Sequence, residues 1–256
     1  MQKAGSNRKS KSQIIAVLIF CLFFVVQNLY SQKKHYQAWI EYVPTISLPK
    51  SFSLQFRAAY RTNFEDPRWH TYELRIQPEY KLNSYVTFMV AVDFIDTHQN
   101  DHLTTFEIRE ALVAALHFTP KKRIQTGITI RGEQRNVQDL ETSDWTSSTR
   151  LRLLANVKAP LNKKTMSAEH VLYTYAEMEF FITPDDEIQE RYANKLRVYA
   201  AMGYKVLHNL KLELMYMWQE YKNTIHGDVS SAQNIFRFRV LQSFGTKKKN
   251  KTDKPA

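Results

Sequence analysis

Ser51 to Arg61 reads Ser-Phe-Ser-Leu-Gln-Phe-Arg-Ala-Ala-Tyr-Arg. Phe52, Leu54, Phe56, Ala58 and Tyr60 make one apolar row, while Ser53, Gln55, Arg57, Ala59 and Arg61 make the other, polar one. Successive side chains of a β-strand point to opposite faces, so this stretch predicts a strand with one greasy and one charged side. The pattern returns about ten times down the chain. Tyr72, Leu74, Ile76, Pro78 and Tyr80 oppose Glu73, Arg75, Gln77 and Glu79; Val86, Phe88, Val90, Val92 and Phe94 oppose Thr87, Met89, Ala91 and Asp93. Similar rows follow to Phe118, with Glu110 out of pattern, and then onward to Phe236, Phe238, Val240 and Phe244.

Between these rows, tight turns such as 81–84 and 119–122 alternate with longer polar loops such as 98–103 and 136–144. That alternation is expected of an up-and-down β-barrel with one plain rim and one elaborated rim. The strands run to about 11–15 residues, well beyond the usual five or six. Long strands with few glycines and no edge protection need closure, most of all in lipid, where an open edge is not tolerated. The expected fold is all-β, an up-and-down antiparallel transmembrane barrel of about ten strands, within a range of ten to twelve. Counting from His35 gives eleven. Bacterial single-chain barrels have even numbers, so the reading sets aside the first, proline-ended strand around Trp39 and starts the barrel at Ser51.

The ends differ from the body. Lys3, Arg8, Lys9 and Lys11 precede an apolar run from Ile14 to Val26, too short for a membrane span of about 20 residues and arranged as a secretory signal peptide. The expected organisation is a signal peptide at 1–31, an N-terminal strand and turn at 32–50, the barrel at 51–244 and a basic, disordered tail at 245–256. The formal charge of +11 sits largely in the leader and the lysine tail. A nucleic-acid partner would need a basic face on the fold itself, and none is expected. Cys21, the single cysteine, lies in the leader, which leaves no disulfide or cysteine-based metal site in the body.

Which row faces inward is decided by its charges. The polar row carries Glu73-x-Arg75, Glu107-x-Arg109, Arg131-x-Glu133-x-Arg135, Arg150-x-Arg152, Glu177-x-Glu179, Lys211-x-Glu213 and Arg237-x-Arg239. Arginine outnumbers lysine there and suits multidentate pairing in confined space. A membrane barrel turns its apolar row to lipid and its polar row to the lumen; a soluble barrel does the reverse. The expected lumenal network is Arg57, Arg61, Glu73, Arg75, Glu107, Arg109, Arg131, Glu133, Arg135, Arg150, Arg152, Glu177, Glu179, Arg191, Arg197, Glu213, Arg237 and Arg239. Tyr60, Trp69, Tyr80, Tyr85, Trp145 and Trp218, near strand ends, are expected in interfacial girdles.

The order of Trp39, Arg57 and Arg61, Glu107-x-Arg109, Arg131-x-Glu133-x-Arg135, Arg150-x-Arg152, Glu177-x-Glu179-Phe180-Phe181 and Arg191-Tyr192 resembles the family called domain of unknown function 2490. The resemblance implies an outer-membrane β-barrel and brings no assigned activity.

Enzymatic alternatives rest on loop histidines. His226 with Ser230 and Asp228, or His102 with Thr104, are the candidate hydrolytic sets of an outer-membrane lipid hydrolase. Asp96, His98, Asp101 and His102 are the nearest approach to a metal or calcium site, without a recognisable ligand spacing. No catalytic residue, metal or cofactor is assigned. The leading expectation is a monomeric barrel, structural or forming a narrow pore, in contact with outer-membrane lipids and the barrel assembly machinery; a soluble periplasmic barrel for an apolar ligand is the remaining alternative.

Overall fold

The computed structural model describes residues 34–66, 68–99, 104–184, 193–223 and 228–245. Eleven strands follow in order: β1 (Lys34–Ser47), β2 (Phe52–Asn63), β3 (His70–Lys81), β4 (Val86–His98), β5 (Thr105–His117), β6 (Gln125–Asp139), β7 (Trp145–Pro160), β8 (Leu172–Ile182), β9 (Ala193–Leu207), β10 (Leu210–Asn223) and β11 (Asp228–Phe244). Each pairs antiparallel with the next, and β1 joins β11 to close a barrel. The expected leader at 1–31 and the tail beyond 245 lie outside the described residues.

Eleven falls within the expected ten to twelve, and the first strand, which the parity argument sets aside, is part of the wall. Pro44 lacks a donor for the ladder, yet the β1–β2 register is unchanged across it, from Tyr42↔Ala58 to Thr45↔Gln55. One lost bond does not end the strand. An odd meander has a geometric consequence: with every sequential pair antiparallel, β1 and β11 must run parallel where they meet. Tyr42 donates to Gln242 Oε1 at 2.7 Å, and the last residue of β1, Ser47, abuts Gly245 just beyond β11. Contacts that advance in the same direction on both strands fit that seam. Gly245 sits at φ +142°, and a Cβ there would come within 2.8 Å of the Ser47 side chain; glycine suits both constraints.

The rows fall as their charges predict. Ile40, Leu74, Leu112, Leu153, Phe180, Leu214 and Phe236 are exposed on the outer wall, whereas Glu41, Glu73, Asp93, Glu133 and Glu213 are each no more than 2% exposed. The molecule has an apolar belt outside and a polar lumen.

Two features depart from the expectations. β6 runs four residues past Arg135, into the stretch 136–139 expected as loop. Its outward residues turn polar there, so the alternation disappears although the pairing continues: Thr149 donates to Gln134 Oε1 at 3.2 Å and Ser147 to Asn136 Oδ1 at 2.7 Å. Glu110 is exposed and faces Gln134 across the β5–β6 ladder, which places this out-of-pattern carboxylate at the foot of the same polar strip. Trp69, expected in an interfacial girdle, is instead 6% exposed and lines the lumen. It precedes Thr71 and Glu73 at two-residue spacing and so shares their inward face. Tyr80, Tyr85 and Trp145 are exposed.

Candidate functional site

Because strand parity turns every second residue inward, the lumen is built from matched rows on neighbouring strands. Register then decides which charges meet. Arg75 on β3 lies opposite Asp93 on β4, and its Nη2 donates to Asp93 Oδ2 at 2.9 Å. Arg131 on β6 reaches over β5 to the same carboxylate at 3.0 Å. The two intervening inward residues of β5 are small, Ala111 and Val113, and leave room for that crossing. Arg57 and Arg61, on β2, both pair with Glu73 on β3.

The chain of pairs continues around the wall. Glu133 accepts from Arg150 Nε and Arg152 Nη1, each at 2.8 Å, and forms an ion pair with Arg131, whose Nε lies 2.6 Å away. Arg152 also donates to Glu179 Oε1, whose other oxygen accepts from Tyr199 at 2.7 Å. Arg197 lies 3.6 Å from Glu179 and donates through Nε to Gln219. A connected ion-pair lattice therefore runs from β2 to β9. Among the described ion pairs Glu107 gathers its own cluster, accepting from Arg109 at 2.8 Å and from Arg135 at 2.8 and 3.0 Å.

A third cluster centres on Glu213 of β10. Tyr173 and Tyr175 donate to it at 2.6 and 2.9 Å, and Arg239 Nε at 2.8 Å. Around it lie Trp39, Val171, Tyr199, Met215, Met217 and Ile235, a buried apolar cluster inside the lumen. The β7–β8 connection covers it from below: Met166 packs against the cluster, and Lys205 Nζ donates to the carbonyls of Ser167 and Ala168 at 2.9 and 3.2 Å.

Two separate cavities occupy the lumen, one toward each end of the barrel. A cavity of about 170 Å³ occupies the end with the longer loops, lined by Arg57, Arg61, Arg75, Arg109, Arg135, Arg150, Arg152, Arg197 and Arg237, with Glu107 the one carboxylate among its described lining residues. A second, of about 480 Å³, occupies the short-turn end, with Glu79, Lys81, His117, Lys158 and Glu177 in its walls. The two share no lining residue among the described residues. Fully buried Asp93, Glu73, Glu133, Ala91, Met215 and Tyr173 lie among the residues between them.

Of the expected network, Arg57, Arg61, Glu73, Arg75, Arg131, Glu133, Arg150, Arg152, Glu179 and Arg197 come together in the β2–β9 lattice. Glu107, Arg109 and Arg135 form their own group, Glu213 joins Arg239, and Glu177 stands apart in the short-turn cavity. Arg237 pairs with Glu41 of β1 across the closing seam. Arg191 lies outside the described residues. Two central carboxylates were missed. Asp93 has the inward parity of Thr87 and Ala91, a signal that reading by charge triplets passes over. Glu41 lies on the strand set aside on parity grounds.

The domain of unknown function 2490, described as a protein of unknown function, matches residues 36–230. The chain belongs to this family. The match begins inside β1 and ends inside β11, so the family domain of unknown function 2490 takes in the first strand as well as the charged rows. No curated protein matches the chain. For the hydrolytic alternatives, His102 and His226 lie outside the described residues, as do the side chains of Asp228 and Ser230. Of the proposed metal set, Asp101 and His102 are outside them too, while His98 Nε2 lies 3.0 Å from Asp96 Oδ2 and its ring stacks on His70 at 4.8 Å.

Proposed function

We propose that this chain is an exported outer-membrane barrel that is closed at mid-lumen by its arginine–carboxylate lattice, presenting a separate water-filled vestibule at each end. The observation that carries this reading is the inversion of the wall: apolar side chains cover the outside while carboxylates near 0% exposure line the inside. In water such a surface would leave a large apolar belt unpartnered; in a bilayer the same belt is matched to lipid. The basic leader followed by a short apolar run supports export. Assembly would be monomeric, through the barrel assembly machinery, with outer-membrane lipids as the surrounding partner. A lumen this polar is a poor container for an apolar ligand, which weighs against the soluble carrier.

Two measurements test the reading. Cells expressing the chain are fractionated, and the membrane fraction is run on detergent gels with and without boiling. A heat-dependent mobility shift in the outer-membrane fraction is expected, with no steady conductance when the folded protein is placed in planar bilayers. Large open-channel currents would show that the lattice does not close the lumen, and a soluble periplasmic protein would remove the membrane reading altogether.

Leu112→Arg separates lipid from water as the medium around the belt. Leu112 is 70% exposed on the outer wall. In water, a charge there is expected to change stability by no more than about 0.5 kcal/mol. In a bilayer it is expected to cost about 2–4 kcal/mol near the midplane, read as a lower urea midpoint for refolding into vesicles.

A further inference from the structure

We infer that the vestibule at the long-loop end is a binding site for a compact soluble polyanion, one carrying clustered phosphate or carboxylate oxygens. This deepens the proposed function and rests on it only in taking that vestibule to be open to water.

The charge balance is the first observation. Among the described residues, and setting Arg135 aside because it has a further partner, nine arginines of the β2–β9 lattice, the Glu107 group and the closing seam share six carboxylates: Glu41, Glu73, Asp93, Glu107, Glu133 and Glu179. Within the described part of the cavity wall the excess is steeper, eight guanidinium groups besides Arg135 to one carboxylate. A purely structural lattice would gain most from matched pairs, because each uncompensated charge taken out of water is costly.

The second observation is where the excess gathers. Arg61, Arg197 and Arg237 all stand over the indole of Trp39, at 4.2, 5.6 and 5.8 Å from its centre. The ring offers each a cation–π contact, but three like charges on one ring repel one another. Arg61 and Arg237 also each keep a buried Nε–H without a hydrogen-bond acceptor, as does Arg57 nearby. Buried donors of this kind are normally satisfied. An anion with several oxygens supplies both missing items, negative charge and acceptors.

Size and geometry set the ligand class. The cavity of about 170 Å³ is more than ten times the ~10–15 Å³ that one water needs, which admits a small multi-oxygen anion and excludes a polymer. Planar guanidinium forks match phosphate and carboxylate edges two bonds at a time, and rings of arginine are a known means of selecting anions within a barrel or pore. Trp39, fixed by donating to Gln37 Oε1 at 2.7 Å, serves as the floor that holds the three arginines in place.

The test uses the full barrel purified in an uncharged detergent and titrated calorimetrically with inorganic pyrophosphate and, separately, with citrate. Saturable binding of at least one is expected, weakening as chloride is raised, and the preferred probe tells phosphoryl from carboxyl chemistry. Arg61→Gln and Arg197→Gln should each weaken it by roughly tenfold or more, while Arg68→Gln, in an exposed loop where it meets Asp66, should leave it unchanged. Absence of saturable binding of both anions to the wild-type barrel would overturn the inference, as would binding that survives both substitutions in folded protein. If neither variant assembles, the wild-type titration decides. The heat shift of the same sample reports the barrel and the titration reports the site, so failure of one reading is not mistaken for failure of the other.

Discussion

Glu133→Gln is expected to destabilise the folded barrel by about 3–5 kcal/mol, the range for removing one partner from a buried charge cluster. The side chain keeps its size, so packing is nearly unchanged and the loss is electrostatic. Glu133 is 1% exposed and is the meeting point of Arg131, Arg150 and Arg152. Arg131 retains Asp93, and Arg152 retains Glu179. Arg150 has no second carboxylate among the described ion pairs, and it is buried beside the Phe181 ring at 5.3 Å. Most of the cost is therefore the stranding of one guanidinium. This predicts a compensation: adding Arg150→Met to Glu133→Gln should recover much of the loss, because replacing a buried pair by apolar groups of similar volume is often close to neutral. The midpoint of the heat-dependent gel shift, measured for wild type, the single variants and the double variant, gives the coupling directly. If the double variant is no more stable than Glu133→Gln alone, the stranded-charge account fails.

How much of this was legible in the sequence depends on the range of the signal. Strand identity and facing are local, set by alternation within one stretch, and Phe52 to Tyr60 suffices to read both. The signal fades where both faces become polar, which is why 136–139 reads as loop though β6 extends through it. Lumenal membership is nearly as local: Glu73, Arg131 and Glu133 announce themselves by parity. Which of them pair is not local. Arg131 meets Asp93 only because β5 places alanine and valine in between, a fact of register and side-chain size on a third strand. The status of β1 is further still from any local rule. Its sequence alternates well through Tyr36, Ile40 and Tyr42, but an expectation of even strand number argues it away. Glu41 inside and Tyr42 at the seam restore it through contacts with residues about 200 positions later.

Gly203→Val should be about as damaging as loss of a large core side chain, roughly 3–5 kcal/mol, although it adds atoms and removes none. Tyr173 on β8, Gly203 on β9 and Glu213 on β10 form one cross-strand row. To reach Glu213 at 2.6 Å, the Tyr173 ring must pass over β9, and it does so where β9 has no side chain. A Cβ at position 203 would lie 2.2–2.6 Å from ring atoms Cζ, Cε2 and Oη of Tyr173. That separation is far inside van der Waals contact, so the ring must leave. Its departure removes one of three donors from a carboxylate that is 2% exposed and opens the apolar cluster beside Trp39 and Met215. Tyr173→Phe isolates the polar part: the ring remains, one charge-assisted hydrogen bond is lost, and a cost of about 1.5–3 kcal/mol is expected. Gly132→Ala is the contrasting case, since a Cβ there meets nothing within 4 Å, and its effect should stay within about 0.5 kcal/mol. Both glycines stand inside alternating strands, Gly132 on the outward row between Arg131 and Glu133 and Gly203 on the inward row of Tyr199 and Ala201. A Gly203→Val barrel with the same unfolding midpoint as Gly132→Ala would mean that the ring does not lie across β9. The measured order is instead expected to place Gly203→Val below Tyr173→Phe, because eviction of the ring loses the packing as well as the hydrogen bond.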